Sequence, residues 1–331
     1  MNKLYNTGII GTGSCLPPNI ITNADLEKMV DTSNEWIVSR TGIKERRVVD
    51  EDTATSDLAT MAARRALDDA GMEPSELDMI IVATVTPDMN FPSTACLVQS
   101  NLGADHCPAF DIEAACSGFL YGLIVASQFI ATGVYKNILV IGAECLSKFL
   151  NWKDRNTCVL FGDGAGAAIV SRVDEGYGIL SHCMGADGEG GKHLILEAGG
   201  SRKPASLETV KNELHYVQME GSEVFKFAVR IMAKASEQVV ELAGLTKKDV
   251  DFLVPHQANI RIIEGARRRL DLPEEKVYVN LDRYGNMSAA SVPVALDEAS
   301  RTKAIKRGDR LVLVAFGGGL TWAACMLRWS K

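Results

Sequence analysis

Two pairs of similar segments occur in the same order along this chain of 331 residues. In the first pair, residues 70–81 read A-G-M-E-P-S-E-L-D-M-I-I and residues 243–254 read A-G-L-T-K-K-D-V-D-F-L-V. In the second pair, residues 161–168 read F-G-D-G-A-G-A-A and residues 316–323 read F-G-G-G-L-T-W-A. Either match alone could arise by chance, but their shared order favours a duplicated unit. The separation is too long for a solenoid, so we expect two similar halves, 1–178 and 179–331, that pack against each other.

Apolar runs in both halves predict an α/β fold. Residues 80–83, 137–141 and 311–315 are continuous apolar runs, which are typical of strands buried on both faces of a sheet. Strands covered in this way need helices on both sides of the sheet. Helical patterns do separate them, at 55–71, 117–132, 222–244 and 258–270.

The composition excludes several classes of protein. Hydrophobic residues make up 47% of the chain, yet no apolar run approaches the ~20 residues that cross a bilayer, and the N-terminus has no signal-peptide pattern. We therefore expect a cytoplasmic protein without a membrane segment. None of the eight cysteines pairs as C-x-x-C and the five histidines do not cluster with them, so no metal site is predicted. The net charge of −7 argues against a nucleic-acid binder.

Cys116 is a candidate nucleophile because of its place between a strand and a helix. Residues 108–115 are predicted to form the strand, and the almost wholly apolar segment after Cys116 predicts a buried helix that ends near Gly133. A helix N-terminus favours thiolate over thiol, and its free N–H groups can donate to an oxyanion. A lone buried cysteine is more often inert packing, and this context alone does not decide between the two interpretations.

Two further residues are candidate hydrogen-bond donors. His256 ends the apolar strand in D-F-L-V-P-H, although a buried histidine can equally be a satisfied core residue. Asn286 lies in the turn Y-G-N-M-S-A-A-S and follows a strand predicted at 276–281, much as Cys116 follows one in the first half. Equivalent loops of two packed halves can converge on one site, whereas the alternative is an ordinary turn asparagine. The glycines at 317–319 predict a tight turn with exposed N–H groups.

Several of these segments together resemble β-ketoacyl-[acyl-carrier-protein] synthase III, the initiating condensing enzyme of type II fatty acid synthesis. The matching motifs are A-A-C-S-G-F at 114–119, G-D-G-A-G at 162–166, P-H-Q-A-N at 255–259, Y-G-N-M-S-A-A-S at 284–291, F-G-G-G at 316–319 and, near the start, R-T-G-I at 40–43. The resemblance runs over the whole length. It implies a thiolase-like five-layer αβαβα fold made from two similar halves, a homodimer, and no metal or redox cofactor.

The resemblance also implies roles for individual residues. Cys116, His256 and Asn286 match the catalytic set, and the backbone N–H groups of Cys116 and Gly318 match the oxyanion hole. Phe91 matches a residue that reaches the acyl pocket of the neighbouring subunit. The residues that match coenzyme A contacts are Trp36 and Arg155, which would hold the adenine, together with Arg40, Thr41 and Asn259.

The implied reaction joins a short acyl-CoA to malonyl-[acyl-carrier protein]. The Cys116 thiolate takes the acyl group, and His256 and Asn286 donate hydrogen bonds to the enolate that forms when malonyl-carrier protein loses CO₂. The carrier protein of such systems is acidic, which predicts a basic docking patch. Arg261 and Arg268 lie ~20° apart on a predicted helix. Arg267 and Arg269 flank them and Lys226 is a further candidate, although such arginines often form only a solvated face.

Other condensing enzymes are the nearest alternatives. A thiolase is expected to use a second catalytic cysteine and an elongating synthase two histidines, so Asn286 argues against both. Plant-type polyketide synthases share the Cys-His-Asn set but are usually longer, which leaves a related enzyme that primes polyketide-type synthesis as an alternative. A non-catalytic partner subunit typically loses the cysteine. The sequence leaves open whether acetyl-CoA or a short branched acyl-CoA is the primer.

Overall fold

The computed structural model describes residues 4–331. The strands are β1 (Thr7–Cys15), β2 (Asn19–Thr22), β3 (Glu45–Val48), β4 (Met79–Ala83), β5 (Ala109–Ile112), β6 (Ile138–Glu144), β7 (Gly164–Arg172), β8 (Gly178–Ala186), β9 (Leu194–Leu196), β10 (Val217–Met219), β11 (Phe252–Pro255), β12 (Arg310–Gly317) and β13 (Thr321–Arg328). The helices are α1 (Asn23–Leu26), α2 (Asn34–Thr41), α3 (Thr55–Ala70), α4 (Thr94–Leu102), α5 (Gly118–Ala131), α6 (Leu207–Lys211), α7 (Gly221–Leu242), α8 (Ile260–Arg269), α9 (Leu281–Tyr284) and α10 (Ser291–Arg301).

The two large sheets repeat one topology, which confirms the duplication predicted from the sequence. The first has the order β1-β7-β6-β4-β5 and the second the order β8-β13-β12-β11. In each sheet the outermost strand pairs antiparallel with the next (β1 with β7, β8 with β13), and an antiparallel and then a parallel pairing follow. We propose the division between residues 1–178 and 179–331, since it falls at the start of β8.

The strand predicted at 276–281 is wrong. In the position equivalent to β5, the second half has only one parallel bridge, between Leu253 and Val277. The pairing stops there because the N–H group of Asn280 donates to the side chain of Gln257, at 3.1 Å, instead of to a neighbouring strand. The chain then enters α9, so Asn286 follows a short helix and not a strand.

Helices and sheets alternate in five layers, as the thiolase-like architecture requires. The central helices α5 and α10 pack between the two sheets through side chains such as Leu123 and Leu296. Helices α3 and α4 cover the outer face of the first sheet, and α7 and α8 cover the outer face of the second. Successive strand residues point to opposite faces, so Ile81 joins the central core and Ile80 the outer one. This double burial explains the continuous apolar runs.

Each half holds a turn of the other half against the inner end of its sheet. A Cβ atom at Gly142 in β6 would lie 2.2 Å from the carbonyl oxygen of Ala289. A Cβ atom at Gly317 in β12 would lie 2.5 Å from the backbone nitrogen of Cys116. Both approaches require glycine, because no side chain fits between the two backbones. The turns that carry Cys116 and the segment after Asn286 therefore meet where the halves join.

Candidate active site

Cys116 lies in a one-turn 3₁₀ helix, Ala115–Ser117, that joins β5 to the buried helix α5. Ala115 has the left-handed φ of 45°, which turns the chain sharply before the cysteine. Cys116 is buried, with 6% of its surface exposed. The sequence predicted a stabilised thiolate, but burial raises the pKa of the Cys116 thiol to about 12. The loss of solvation therefore opposes the effect of the favourable helix terminus.

The glycine turn at 317–319 is fixed next to Cys116. The hydroxyl group of Thr321 donates to the carbonyl oxygen of Ala114 at 2.8 Å and also lies 3.2 Å from the carbonyl oxygen of Gly318. Gly319 adopts the left-handed φ of 69°, as a tight turn requires. The turn that precedes β13 is thus tied to the strand end that carries the cysteine.

His256 follows β11 and is 1% exposed, as a residue at the end of a core strand should be. Its backbone N–H group donates to Val314 at 2.8 Å, and its ring meets Phe316 edge-on. Within the described chain, neither ring nitrogen has a hydrogen-bond partner, although both are buried. Burial lowers the pKa of His256 to about 3, so the ring is neutral at physiological pH. A neutral ring carries one N–H donor that is free for a ligand.

Asn286 is attached to the first half by its backbone. Its N–H group donates to Leu160 at 2.8 Å and its carbonyl oxygen accepts from Gly162 at 3.0 Å. Its side-chain oxygen accepts the N–H group of Ser288 at 2.9 Å. Since a backbone N–H can only donate, this bond assigns the oxygen of the carboxamide and leaves the NH₂ group as the donor for a ligand.

The three predicted catalytic residues line one cavity of about 80 Å³. Its wall is mostly apolar and comes from both halves of the chain. A mostly apolar pocket with a few convergent polar groups is typical of a small-molecule site. Besides Cys116, His256 and Asn286, the lining residues are Leu160, Phe161, Leu194, Met219, Gly221, Val224, Phe225, Ala258, Asn259, Ile262, Phe316 and Gly317.

The residues predicted to contact coenzyme A lie together, with one correction. The Trp36 ring has the guanidinium groups of Arg40 and Arg155 at 4.8 Å and 5.0 Å from its centroid. Asn259 caps α8 and donates to the carbonyl oxygen of Arg40 at 2.9 Å. Thr41, however, is buried, and its hydroxyl donates to Ile37 at 2.7 Å within α2. The Thr41 hydroxyl therefore stabilises the end of this helix and is not exposed to a ligand.

The arginines of α8 do not form one free basic patch. Arg267 and Arg268 both bind the carboxylate of Glu264, whose pKa falls to about 2, chiefly through the Arg267 bond. Arg269 is paired with Glu237 on α7. Within residues 4–331, Arg261 forms no ion pair and its guanidinium lies 5.0 Å from the ring centroid of Phe225. The sequence showed the spacing of these arginines but not their acidic partners.

Outside the cavity, the remaining predictions concern Phe91, metals and membranes. Phe91 is 85% exposed, in the loop before α4, and it does not line the cavity. In the part of the chain that the structure describes, no group of three or more His, Cys, Asp or Glu side chains could hold a metal ion. In the same part, no helix is both long and apolar enough to cross a membrane.

Sequence reasoning missed two polar residues next to Cys116. Glu144 is completely buried at the end of β6, and Ser288 is 3% exposed in the turn after Asn286. Beside the larger effect of burial, the Ser288 side chain lowers the pKa of the Cys116 thiol and the charge of Glu144 raises it. The sequence held one signal for Glu144, since it is the single acidic residue at the end of the apolar run I-L-V-I-G-A-E at 138–144.

Known proteins resemble this chain over nearly its whole length. Two sequence profiles match the chain. The profile of 3-oxoacyl-[acyl-carrier-protein (ACP)] synthase III matches residues 110–188, and the profile of its C-terminal part matches residues 240–329. A β-ketoacyl-[acyl-carrier-protein] synthase III of Caldanaerobacter subterraneus is 67% identical over 98% of each chain. The crystal structure of 3-oxoacyl-[acyl-carrier-protein] synthase III from Aquifex aeolicus superposes with a TM-score of 0.90 at 51% identity, covering 98% of this chain and 100% of the other. A priming β-ketosynthase of a polyketide pathway superposes with a TM-score of 0.91 at 34% identity, covering 100% of this chain and 99% of the other.

Proposed function

We propose a mechanism for this chain, which belongs to the β-ketoacyl-[acyl-carrier-protein] synthase III family and is a condensing acyltransferase that initiates fatty acid synthesis. Cys116 accepts the acyl group of an acyl-CoA as a thioester. The backbone N–H groups of Cys116 and Gly318 hold the oxyanion of the tetrahedral intermediate, and coenzyme A leaves. Malonyl-[acyl-carrier protein] then loses CO₂ in the same cavity, and the resulting carbanion attacks the acyl thioester.

One observation carries this proposal: the unpartnered ring nitrogens of His256 share a cavity with Cys116 and the free NH₂ group of Asn286. A buried polar atom without a partner costs about 1–3 kcal/mol, so such atoms call for a functional explanation. Decarboxylation places negative charge on the thioester oxygen of the malonyl group. A neutral His256 and Asn286 can stabilise that enolate oxygen by two hydrogen bonds, because both donors are already in position.

The cavity supports a short acyl primer. Its wall beside Cys116 is made of packed side chains, among them Leu160, Phe161 and Phe316. We therefore expect acylation of Cys116 by acetyl-CoA and short branched acyl-CoA, and a kcat/KM at least about tenfold lower for octanoyl-CoA, because its chain cannot enter without displacing packed side chains. A panel of acyl-CoA primers with malonyl-carrier protein tests this. Equal kcat/KM values for acetyl and octanoyl primers would exclude this cavity as the acyl pocket.

We assign the coenzyme A nucleotide to the surface around Trp36. Arg40 and Arg155 already stack on its ring, and an adenine can take the place of one guanidinium in such a stack. Asn259 links this surface to the cavity, since it borders the cavity and binds Arg40. Thr41 supports this surface indirectly, because its hydroxyl bond to Ile37 stabilises the end of α2.

For the carrier protein we propose a basic face made of Arg261 and Arg268, with Lys226 beside it. Both arginines are exposed, and Arg261 stacks on Phe225, which lines the cavity. Arg268 also pairs with Glu264, but its side chain is 75% exposed, whereas Arg267 binds the same carboxylate through two nitrogens and is only 20% exposed. Arg269 is left out of this face because it pairs with Glu237 of α7. Lys226 is 70% exposed although it pairs with Glu223.

Charge reversal tests this basic face. Arg268→Glu should raise the KM for malonyl-carrier protein about three- to tenfold, the effect of losing and inverting one rim charge, and added salt should weaken the wild-type interaction. The KM for acyl-CoA should change much less. Arg307→Glu is the matched control, because Arg307 is 51% exposed beside Asp174, away from α8. Equal effects of Arg268→Glu on both substrates, or none on either, would exclude α8 as the carrier-protein site. Its arginines would then form only a solvated face.

We further propose a homodimer that joins at β5. This strand is the edge of the first sheet and pairs only with β4 among the described strands, so its outer N–H and C=O groups are available to a second copy. Phe91 is exposed. It lies near this edge, since α4, the helix that follows it, packs on β5. An exposed phenylalanine at such an edge fits insertion into the partner. Sedimentation equilibrium measures the mass directly, and a monomer at micromolar concentration would exclude the proposal.

A cytoplasmic location agrees with the substrates and with the eight unpaired cysteines. The structural likeness to a priming β-ketosynthase leaves one alternative function open, in which the product enters polyketide-type synthesis instead of fatty acid synthesis. Analysis of the carrier protein that accepts the product distinguishes the two pathways.

A further inference from the structure

Arg46 is a charged side chain in the interior of the protein that the mechanism above does not use. It lies in β3, and none of its surface is exposed. Its guanidinium donates to the carbonyl oxygens of Ile21 at 3.1 Å and Val159 at 2.8 Å, and twice to the amide oxygen of Asn23 at 3.0 Å. Within residues 4–331 these acceptors are all neutral, and the Nε atom has no hydrogen-bond partner. A buried cation without a carboxylate partner is costly, so this position requires an explanation.

The bond to Val159 holds one end of the segment 159–162 against β3. The residue after this segment, Asp163, holds the other end. Its N–H group donates to the carbonyl oxygen of Arg47 at 2.8 Å, and its carboxylate accepts the N–H group of Val49 at 2.8 Å. Both ends of the segment are therefore tied to β3, and Arg46 supplies the attachment at the Val159 end.

The same segment holds the backbone of Asn286. The N–H group of Asn286 donates to the carbonyl oxygen of Leu160 at 2.8 Å, and its own carbonyl oxygen accepts the N–H group of Gly162 at 3.0 Å. These two bonds form a parallel bridge between Phe161 and Asn286. The position of the segment thus fixes the position of the residue whose carboxamide faces the cavity.

The stem of Arg46 packs where this segment meets the turn before Asn286. A Cβ atom at Gly162 would lie 3.2 Å from the Cβ atom of Arg46, and one at Gly285 would lie 3.3 Å from it. The two backbones are in contact here, since the same added atoms would lie 2.4 Å from the carbonyl oxygen of Tyr284 and 2.7 Å from that of Leu160. A shift of the segment would therefore be passed on to the turn, because such close packing leaves no space to absorb it.

We propose that Arg46 is a positioning residue for Asn286. By holding Val159, it fixes the backbone of the segment 159–162, and this backbone sets the direction in which the Asn286 carboxamide points. A donor stabilises a developing oxyanion only when it is held where that charge forms. Arg46 itself does not line the cavity. This inference rests on the proposed function, since it uses the role of Asn286 as a donor to the enolate.

An arginine suits this task better than a lysine. Its planar guanidinium binds three acceptors in a fixed geometry, and these lie in β2, in α1 and in the segment 159–162. Asn23 is itself fixed, because its NH₂ group donates to the carbonyl oxygen of Ile43 at 2.8 Å. Burial lowers the pKa of Arg46 to about 10, so the guanidinium keeps its charge near neutral pH. Arg46→Lys therefore keeps the charge and removes the planar set of donors.

The test is a double-mutant cycle on the decarboxylation of malonyl-carrier protein, measured without acyl-CoA. Arg46→Lys should slow this step about 10- to 100-fold, the usual result of misplacing a catalytic group. In the Asn286→Ala background the same substitution should change the rate less than about threefold, because the carboxamide that Arg46 positions is then absent. A general loosening of the protein would instead reduce the rate by the same factor in both backgrounds.

Arg172→Lys is the matched control. In the described chain the Nε atom of Arg172 is also buried without a hydrogen-bond partner. Arg172 lies where the end of β7 pairs with the start of β1, and it stacks on Tyr5. This variant should keep the wild-type rate of decarboxylation. Acylation by acetyl-CoA is the second readout. In Arg46→Lys it should fall less than decarboxylation does, because in the proposed mechanism Asn286 does not hold the oxyanion of that step.

The outcomes separate this inference from the proposed function. A wild-type rate of decarboxylation in Arg46→Lys, or the same factor of loss with and without the Asn286 side chain, would overturn the positioning role. Equal losses of acylation and decarboxylation would also overturn it, because Arg46 would then act through the cavity wall at Leu160 and Phe161. If Arg46→Lys does not fold, Asn23→Ala decides, since it removes the acceptor of two guanidinium bonds and should show the same dependence on Asn286. Decarboxylation at the wild-type rate in Asn286→Ala alone would instead overturn the proposed function.

Discussion

Cys116→Ala should reduce acyl transfer from acyl-CoA by roughly 10⁴- to 10⁶-fold, the range in which the loss of a member of an acyl-transfer catalytic set falls. No other cysteine can replace it, since Cys116 is the only cysteine among the residues that line the cavity. Decarboxylation of malonyl-carrier protein should persist, because His256 and Asn286 are unchanged. Single-turnover acylation, followed by mass spectrometry of the intact protein, measures the first effect.

Cys96→Ala is the control for this substitution. Cys96 is exposed, so it is more accessible to thiol reagents than the buried Cys116, but it lies outside the cavity. Its removal should leave acyl transfer unchanged. An acyl-enzyme on the Cys116→Ala variant, formed at a rate near that of the wild type, would contradict the assignment of the nucleophile.

His256→Ala and Asn286→Ala should separate the two half-reactions. Each should slow decarboxylation of malonyl-carrier protein about 10²- to 10³-fold, the usual effect of removing one preorganised donor from a developing oxyanion. Each should still accept an acyl group on Cys116, because in the proposed mechanism backbone N–H groups hold the oxyanion of that step. Release of labelled CO₂ measures the first step, and mass spectrometry of the acyl-enzyme measures the second.

The proposed donors also predict the behaviour of a conservative variant and of pH. Asn286→Asp keeps the shape of the side chain but replaces its NH₂ donor by an acceptor, so it should lose decarboxylation at least as severely as Asn286→Ala. Since the pKa of His256 is about 3, its ring stays neutral and should add no inflection to decarboxylation between about pH 5 and pH 8. A wild-type rate of decarboxylation in either alanine variant would exclude the assigned role.

The layered fold and its duplication could be predicted because both leave local signals. Apolar runs record strands buried on two faces, and Ala-Gly pairs mark helix ends. Gly71 and Gly244 follow α3 and α7 with the left-handed φ of 66° and 69°, as a helix C-terminus often requires. Cys116, His256 and Asn286 could be grouped in advance as one candidate site because each stands in a motif at the end of a regular element, and the three do line one cavity.

The errors concern properties that depend on distant partners. Burial raises the pKa of Cys116, and a local pattern of strand and helix does not reveal how deeply the residue is buried. The strand predicted at 276–281 has suitable residues, but Gln257 takes the N–H group that would continue the sheet. The positive charge of the α8 arginines is offset partly by Glu237, which is distant in sequence and pairs with Arg269. Glu144 resembles the polar end of an ordinary strand until the fold places Ser288 and Cys116 beside it.

The most direct test of the account maps the acyl group after incubation with acetyl-CoA and follows it when malonyl-carrier protein is added. Peptide mass spectrometry should find the acetyl group on the peptide that contains Cys116. That group should disappear on addition of malonyl-carrier protein, as the β-ketoacyl-carrier protein appears in equal amount. An acetyl group on any of the seven other cysteines, or one on Cys116 that malonyl-carrier protein does not remove, would contradict the proposed mechanism.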